Sequence, residues 1–74
     1  MNPREIARVE TYLQNAFNNS RIKVAVPKKD GAPVEVTIDD EFIGVLHKDE
    51  EDSEVSYSLH MTILEEDLPA VSTA

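Results

Sequence analysis

The spacing of apolar residues changes once along this chain, and the change falls at Asn18-Asn19-Ser20. Before it, Ile6, Val9, Leu13, Ala16 and Phe17 recur every three or four residues; after it, apolar and polar residues alternate in every apolar run but one. Helix spacing cannot bury one face of a strand, and strict alternation cannot bury one stripe of a helix. The chain is therefore confined to one helix followed by strands, an α+β domain.

The helix is expected from about Pro3 to Phe17. Asn2 is a good N-cap, Pro3 suits the first helical position, and Glu5 stands where a capping-box acid reaches back to the cap. Asn18-Asn19-Ser20 ends it, because asparagine tolerates the left-handed conformation that closes a last turn. Ile22, Val24 and Val26 then alternate with polar or small residues up to Pro27, and Val34, Val36 and Ile38 do the same beyond Lys28-Lys29-Asp30-Gly31-Ala32-Pro33. Asp-Gly is a hairpin turn signal. Folding the two runs together sets Val26 by Val34, Val24 by Val36 and Ile22 by Ile38, with Lys23 diagonal to Glu35 on the wet face.

The third strand, Phe42-Ile43-Gly44-Val45-Leu46-His47, follows the acidic turn Asp39-Asp40-Glu41 and does not alternate. Phe42 and Leu46 are expected on one face and Ile43 and Val45 on the other, as in a central strand covered on both sides. Gly44 marks a bulge, a close backbone approach or room for a ring. Asp49-Glu50-Glu51-Asp52-Ser53-Glu54 reads as a hairpin loop, and Val55, Tyr57, Leu59, Met61 and Ile63 as the apolar side of the longest strand. The result is one helix packed on a four-stranded antiparallel meander: a single domain over 1–68 with a disordered tail over 69–74. Its expected core comprises Ile6, Val9, Leu13, Phe17, Ile22, Val24, Val26, Val34, Val36, Ile38, Leu59, Met61 and Ile63, plus one face of strand three.

Charge narrows the function. The 74 residues carry a net charge of −8, unevenly placed: residues 1–34 hold six basic and three acidic residues, and residues 35–74 hold Lys48 alone against twelve acids. Phosphate contacts dominate nucleic-acid affinity, so no nucleic-acid or anionic-membrane partner is expected. With no cysteine there is no disulfide framework, thiolate metal site or cysteine nucleophile. No apolar run reaches the ~20 residues of a membrane span, and Met1-Asn2-Pro3 opens no signal peptide, so the expected location is cytoplasmic.

Candidate chemistry is sparse. The 49–54 carboxylates lack the alternating ligands, glycine and terminal glutamate of a calcium loop, which favours a solvated hairpin. If that loop joins strands three and four, His47 lies near Ser56 and His60 near Ile43, about 13 Å apart and too far to share a metal. Ser56 and Ser58 have no nucleophile elbow, and Gly31 and Gly44 are the only glycines, too few for a phosphate loop. No enzyme activity, cofactor or metal is expected.

Pro27-Lys28-Lys29, the run Asp40-Glu41-Phe42-Ile43-Gly44-Val45-Leu46, the acids Asp49 to Asp52, Glu54-Val55-Ser56-Tyr57, Ile63-Leu64 and the helix start Glu5-Ile6-Ala7 together form a recognisable pattern. In it the chain resembles a family of short alphaproteobacterial proteins, domain of unknown function 3126, over residues 3–68. The resemblance implies a bacterial cytoplasmic setting and brings no activity and no site residues. The chain departs from the pattern at Ser53, where the family leads one to expect a loop glycine, and in its Ala-Val-Ser-Thr-Ala end.

The function expected from all this is a non-enzymatic protein–protein interaction module. It either docks on a partner with a basic surface or associates with itself as a dimer. Asp40, Glu41, Asp49, Glu50, Glu51 and Asp52 would provide the electrostatics, and Ile43 and Val45 the contact. The alternative is a small-ligand or divalent-metal binder using the acidic loop with His47 and Tyr57. A third reading, an acidic mimic of nucleic acid, requires the carboxylates to align along one face.

Overall fold

A computed structural model describes residues 1–29 and 31–70. It contains one helix, α1 (Pro3–Ala16), then β1 (Ile22–Val24), β2 (Val34–Ile38), β3 (Glu41–Glu51) and β4 (Glu54–His60), with a short 3₁₀ turn at Glu65–Asp67. The strands form one antiparallel sheet in the order β1-β2-β3-β4. No helix among the described residues is long and apolar enough to cross a membrane. The expected hairpin turn at Asp30 and the end of the expected tail, residues 71–74, lie outside the described residues.

The helix start follows from its sequence. Asn2 Oδ1 accepts from the Glu5 backbone N–H at 2.8 Å, and Glu5 Oε1 accepts from the Asn2 N–H at 2.9 Å, closing a capping box in front of Pro3. At the other end Asn18 takes a positive φ of 50°. Between them Ile6 and Leu13 are buried against Ile22, Val24, Val34, Val36 and Leu46. Val9, Ile38, Ile43 and Leu59 pack partly on this cluster.

The first hairpin has the expected register, Ile22 opposite Ile38 and Val24 opposite Val36. β1 is shorter than the alternation suggests: it ends at Val24, and Val26 is exposed. Helix side chains close its outer edge. Gln14 Nε2 donates to the Ile22 carbonyl at 2.9 Å, and the Val24 N–H donates to Glu10 Oε2 at 2.9 Å. An edge strand normally leaves these groups unpaired.

Strand three differs most from expectation. Val36 lies opposite Gly44 but Thr37 lies opposite Phe42, so Ile43 has no opposite residue and forms a β-bulge. The bulge breaks both expected pairs. Leu46 and Ile43 face the helix, while Phe42 and Val45 face outward beside Thr37 and Glu35. Gly44 sits where the His60 carbonyl crosses, a close approach that the sequence had offered as one of three roles for it.

The 49–54 segment is not a six-residue loop. β3 continues through Asp49, Glu50 and Glu51, β4 starts at Glu54, and only Asp52 and Ser53 turn the chain, with Glu51 opposite Glu54. Both turn residues have positive φ, 48° and 71°, as do Asp39 and Asp40 in the β2–β3 turn, at 52° and 66°. Paired positive φ values characterise the two-residue hairpin turn whose twist matches that of the strands. β4 ends at His60, opposite Val45, although β3 runs back to Glu41; the pairing stops beside Gly44 and the bulge at Ile43, and Met61 and Ile63 lie outside the core, 56 % and 63 % exposed. Phe17, at the helix C-cap, is also exposed.

Candidate interaction surface

One helix is about 10 Å wide, whereas four strands span about 14 Å between their outermost axes, with side chains beyond. α1 settles over β1, so the inner face of β3 and β4 is only partly covered. A groove of about 430 Å³ runs along this side of α1, between Val9, Tyr12 and Leu13 on the helix and Leu46, Tyr57 and Leu59 on the strands. At Leu13 and Leu59 it meets a second, mainly apolar groove that continues past Phe17, Ile43 and Met61. Tyr12 is 69 % and Phe17 62 % exposed on its helical wall.

A polar cluster closes one end of the groove. Glu5 uses Oε1 for the capping box and Oε2 for an ion pair with Lys48 Nζ, and Tyr57 Oη donates to the same Oε2 at 3.2 Å. Lys48 also pairs with Glu50 at 3.1 Å. Lys48 and Tyr57 are directly opposite in the β3–β4 ladder, so the cluster ties the first turn of α1 to both strands. The Lys48 ammonium, followed by the Asn2 backbone N–H, holds the Glu5 carboxyl down at about 2. Glu5, followed by Glu50, raises the Lys48 ammonium above the usual lysine range. Hydrogen bonds and opposite charge favour the ionised form of each group. Sequence reading missed this cluster, although one signal was present: Lys48 is the only cation between residues 35 and 74.

The structure distributes the expected contact residues over several surfaces. Asp40 and Glu41 lie at the β2–β3 end of β3 and Glu51 and Asp52 at the other, about 30 Å apart at the usual strand rise. The carboxylates therefore do not form one cluster. Asp49 shares the outer face with Ser58, whose Oγ lies 3.4 Å from Asp49 Oδ2, whereas Glu50 turns inward toward Lys48. Arg21 Nη1 pairs with Asp39 at 2.9 Å beside Asp40. Val45 is on the outer face, opposite His60 and Glu35, and Ile43 packs partly into the core.

The histidines require a correction. His47 lies opposite Ser58 and His60 opposite Val45, so the two are diagonal neighbours on the outer face. Their rings meet edge to face with centroids 5.0 Å apart, not about 13 Å. The two-residue turn shifts the register by two positions from that of a six-residue loop, and this brings them together. Tyr57, grouped with His47 in the ligand-binding alternative, lies on the opposite face and is bonded to Glu5. Among the described residues, no three His, Cys, Asp or Glu side chains converge in a way that could hold a metal ion.

No curated protein and no solved structure matches this chain significantly. A family model does, over residues 5–67, from the capping-box glutamate through all four strands to the 3₁₀ turn. With that span matched, the chain belongs to the family described as "Protein of unknown function (DUF3126)".

Proposed function

We propose that this chain is a non-enzymatic, cytoplasmic protein-interaction module, with the groove beside α1 as its contact surface. One observation carries the reading: the single helix leaves the inner face of β3 and β4 half-covered, with Tyr12 and Phe17 projecting from the helical wall above it. Large apolar side chains gathered around one groove favour burial against another protein. The acidic tip at Glu51, Asp52 and Glu54 lies beyond the Tyr57 end of this surface, with Glu51 and Glu54 on the other face of the sheet, and would orient an incoming partner more than hold it.

The test is affinity capture of the tagged chain from native extract, at low and moderate salt, in parallel with a Tyr12→Ser/Phe17→Ser variant. Both residues are exposed, so the variant retains the core. The expected result is a stoichiometric protein held at the groove by the wild type and lost from the variant; a second copy of the chain paired elsewhere than at Tyr12 and Phe17 is held by both. Equal recovery by both of any other protein, or a wild type that recovers nothing and remains a monomer, overturns the reading.

A further inference from the structure

The sheet has two edges, and they are treated differently. Gln14 and Glu10 bond the outward backbone groups of β1, whereas no side chain of the described residues reaches the backbone of β4. β4 is seven residues long and contains neither proline nor lysine, the residues that commonly keep an edge strand from pairing. The two-residue turn makes Glu51 and Glu54 the first bonded pair of the hairpin, so the even-numbered residues of β4 bond to β3. The N–H and C=O groups of Val55, Tyr57 and Leu59 then point outward from the sheet.

The sequence of this strand, Glu54-Val55-Ser56-Tyr57-Ser58-Leu59-His60, is self-complementary about its middle residue. Reversed against itself, it sets Tyr57 opposite Tyr57, Ser56 opposite Ser58, Val55 opposite Leu59 and the Glu54 carboxylate opposite the His60 imidazole. All three outward-bonding residues meet one another, the apolar pair falls on the inner face, and the acid–histidine pair falls on the outer face. We propose that the occupant of this edge is a second copy of the chain, paired antiparallel through β4 with the two-fold axis at Tyr57. The arrangement is isologous, as a closed dimer requires, and makes one eight-stranded sheet. It also places the two acidic tips at opposite ends of the shared edge. Val55 and Tyr57 of each copy extend the groove floor to Leu59 of the other. The inference rests on the interaction-module reading and names the partner.

The experiment uses the full chain, which has no native cysteine. Sedimentation equilibrium from micromolar to millimolar concentration is expected to show twice the chain mass, with the Val55, Tyr57 and Leu59 amides gaining exchange protection as concentration rises. Ser56→Cys and Ser58→Cys proteins are then mixed under mild oxidation. Residues 56 and 58 form a non-bonded antiparallel pair whose ~4.5 Å Cα separation suits a disulfide, so the mixture is expected to cross-link about tenfold faster than either protein alone. A wild type that is monomeric at millimolar concentration overturns the inference; capture of a different protein on the groove would still support the broader reading. A dimer that forms the 56–58 link no faster than the others overturns the β4 pairing.

Discussion

The carbonyl oxygen of His60 lies over Gly44 so closely that a Cβ at that position would come within 2.6 Å of it. The obstruction is backbone rather than a side-chain tip, so it cannot swing aside. Gly44→Ala forces β3 and the end of β4 apart beside the bulge at Ile43. Overpacking of this kind costs about 1–3 kcal/mol, and a urea denaturation midpoint lowered accordingly, with an unchanged slope, is the expected outcome.

Ser53 is the second residue of a two-residue turn and is held at a φ of 71°. A non-glycine residue in the left-handed region costs roughly 1–2 kcal/mol, and the turn prefers Asp-Gly at these two positions. Ser53→Gly is expected to stabilise the fold by about 1 kcal/mol after its own entropy cost, raising Tm by about 4–8 °C. A Tm unchanged or lowered would show that the turn carries no strain.

The Glu5–Lys48 pair sets a pH dependence with a definite sign. Glu5 ionises at about 2 in the folded chain against an ordinary 4.5, so its contribution is complete above 4.5 and disappears as pH falls toward 2. Lys48 acts in the opposite range: its pKa is raised, so its contribution is complete below 10.5 and is lost as pH climbs above that value. The stability difference between wild type and Glu5→Gln is expected to stay level from neutral pH down to about 5 and to narrow below it. Chemical denaturation at a series of pH values measures it directly, and a difference that persists at pH 2 contradicts the assignment.

Ile22 and Ile63 both belong to the core expected from alternation, but they differ in the fold. Ile22 is buried under the helix, whereas Ile63 lies beyond the end of β4. Truncating a buried isoleucine to alanine costs about 2–5 kcal/mol, enough to unfold much of a domain this small. Ile63→Ala is expected to change stability by less than about 0.5 kcal/mol. Thermal melts of the two variants distinguish the observed core from the expected one.

These contrasts show where sequence patterns suffice. The capping box and the first hairpin were legible because each rests on neighbouring residues: Asn2 with Glu5, and two alternating runs whose register follows from matching faces. The bulge at Ile43 was not legible, because an inserted residue appears in sequence only as failed alternation, which a strand buried on both faces produces equally well. The acids from Asp49 to Glu51 resemble a loop by composition, yet the tight turn at Asp52-Ser53 carries them into the strand. Tight turns are usually recognised by glycine, and here serine stands in its place. That one misplacement shifted the register by two residues, separated His47 from His60 and hid the opposition of Lys48 and Tyr57. Met61 and Ile63 continue the strand pattern, but the β3–β4 ladder stops at Val45 and His60, beside the bulge, so their spacing alone misled.

The nearest-neighbour strand order also bears on how fast the chain can fold. Each strand pairs with the one next to it in sequence, and two of the three connections are two-residue turns, so the sheet grows by closing short loops that cost little entropy. The longest closure is the one that brings Glu5 to Lys48 and Tyr57, forty-three and fifty-two residues away. Substitutions in the Asp52-Ser53 turn are therefore expected to change the refolding rate, and those at Glu5 mainly the unfolding rate, as stopped-flow chevrons would show. The order expected from this topology is hairpins first, with docking of Glu5 on Lys48 and Tyr57 completing the native state.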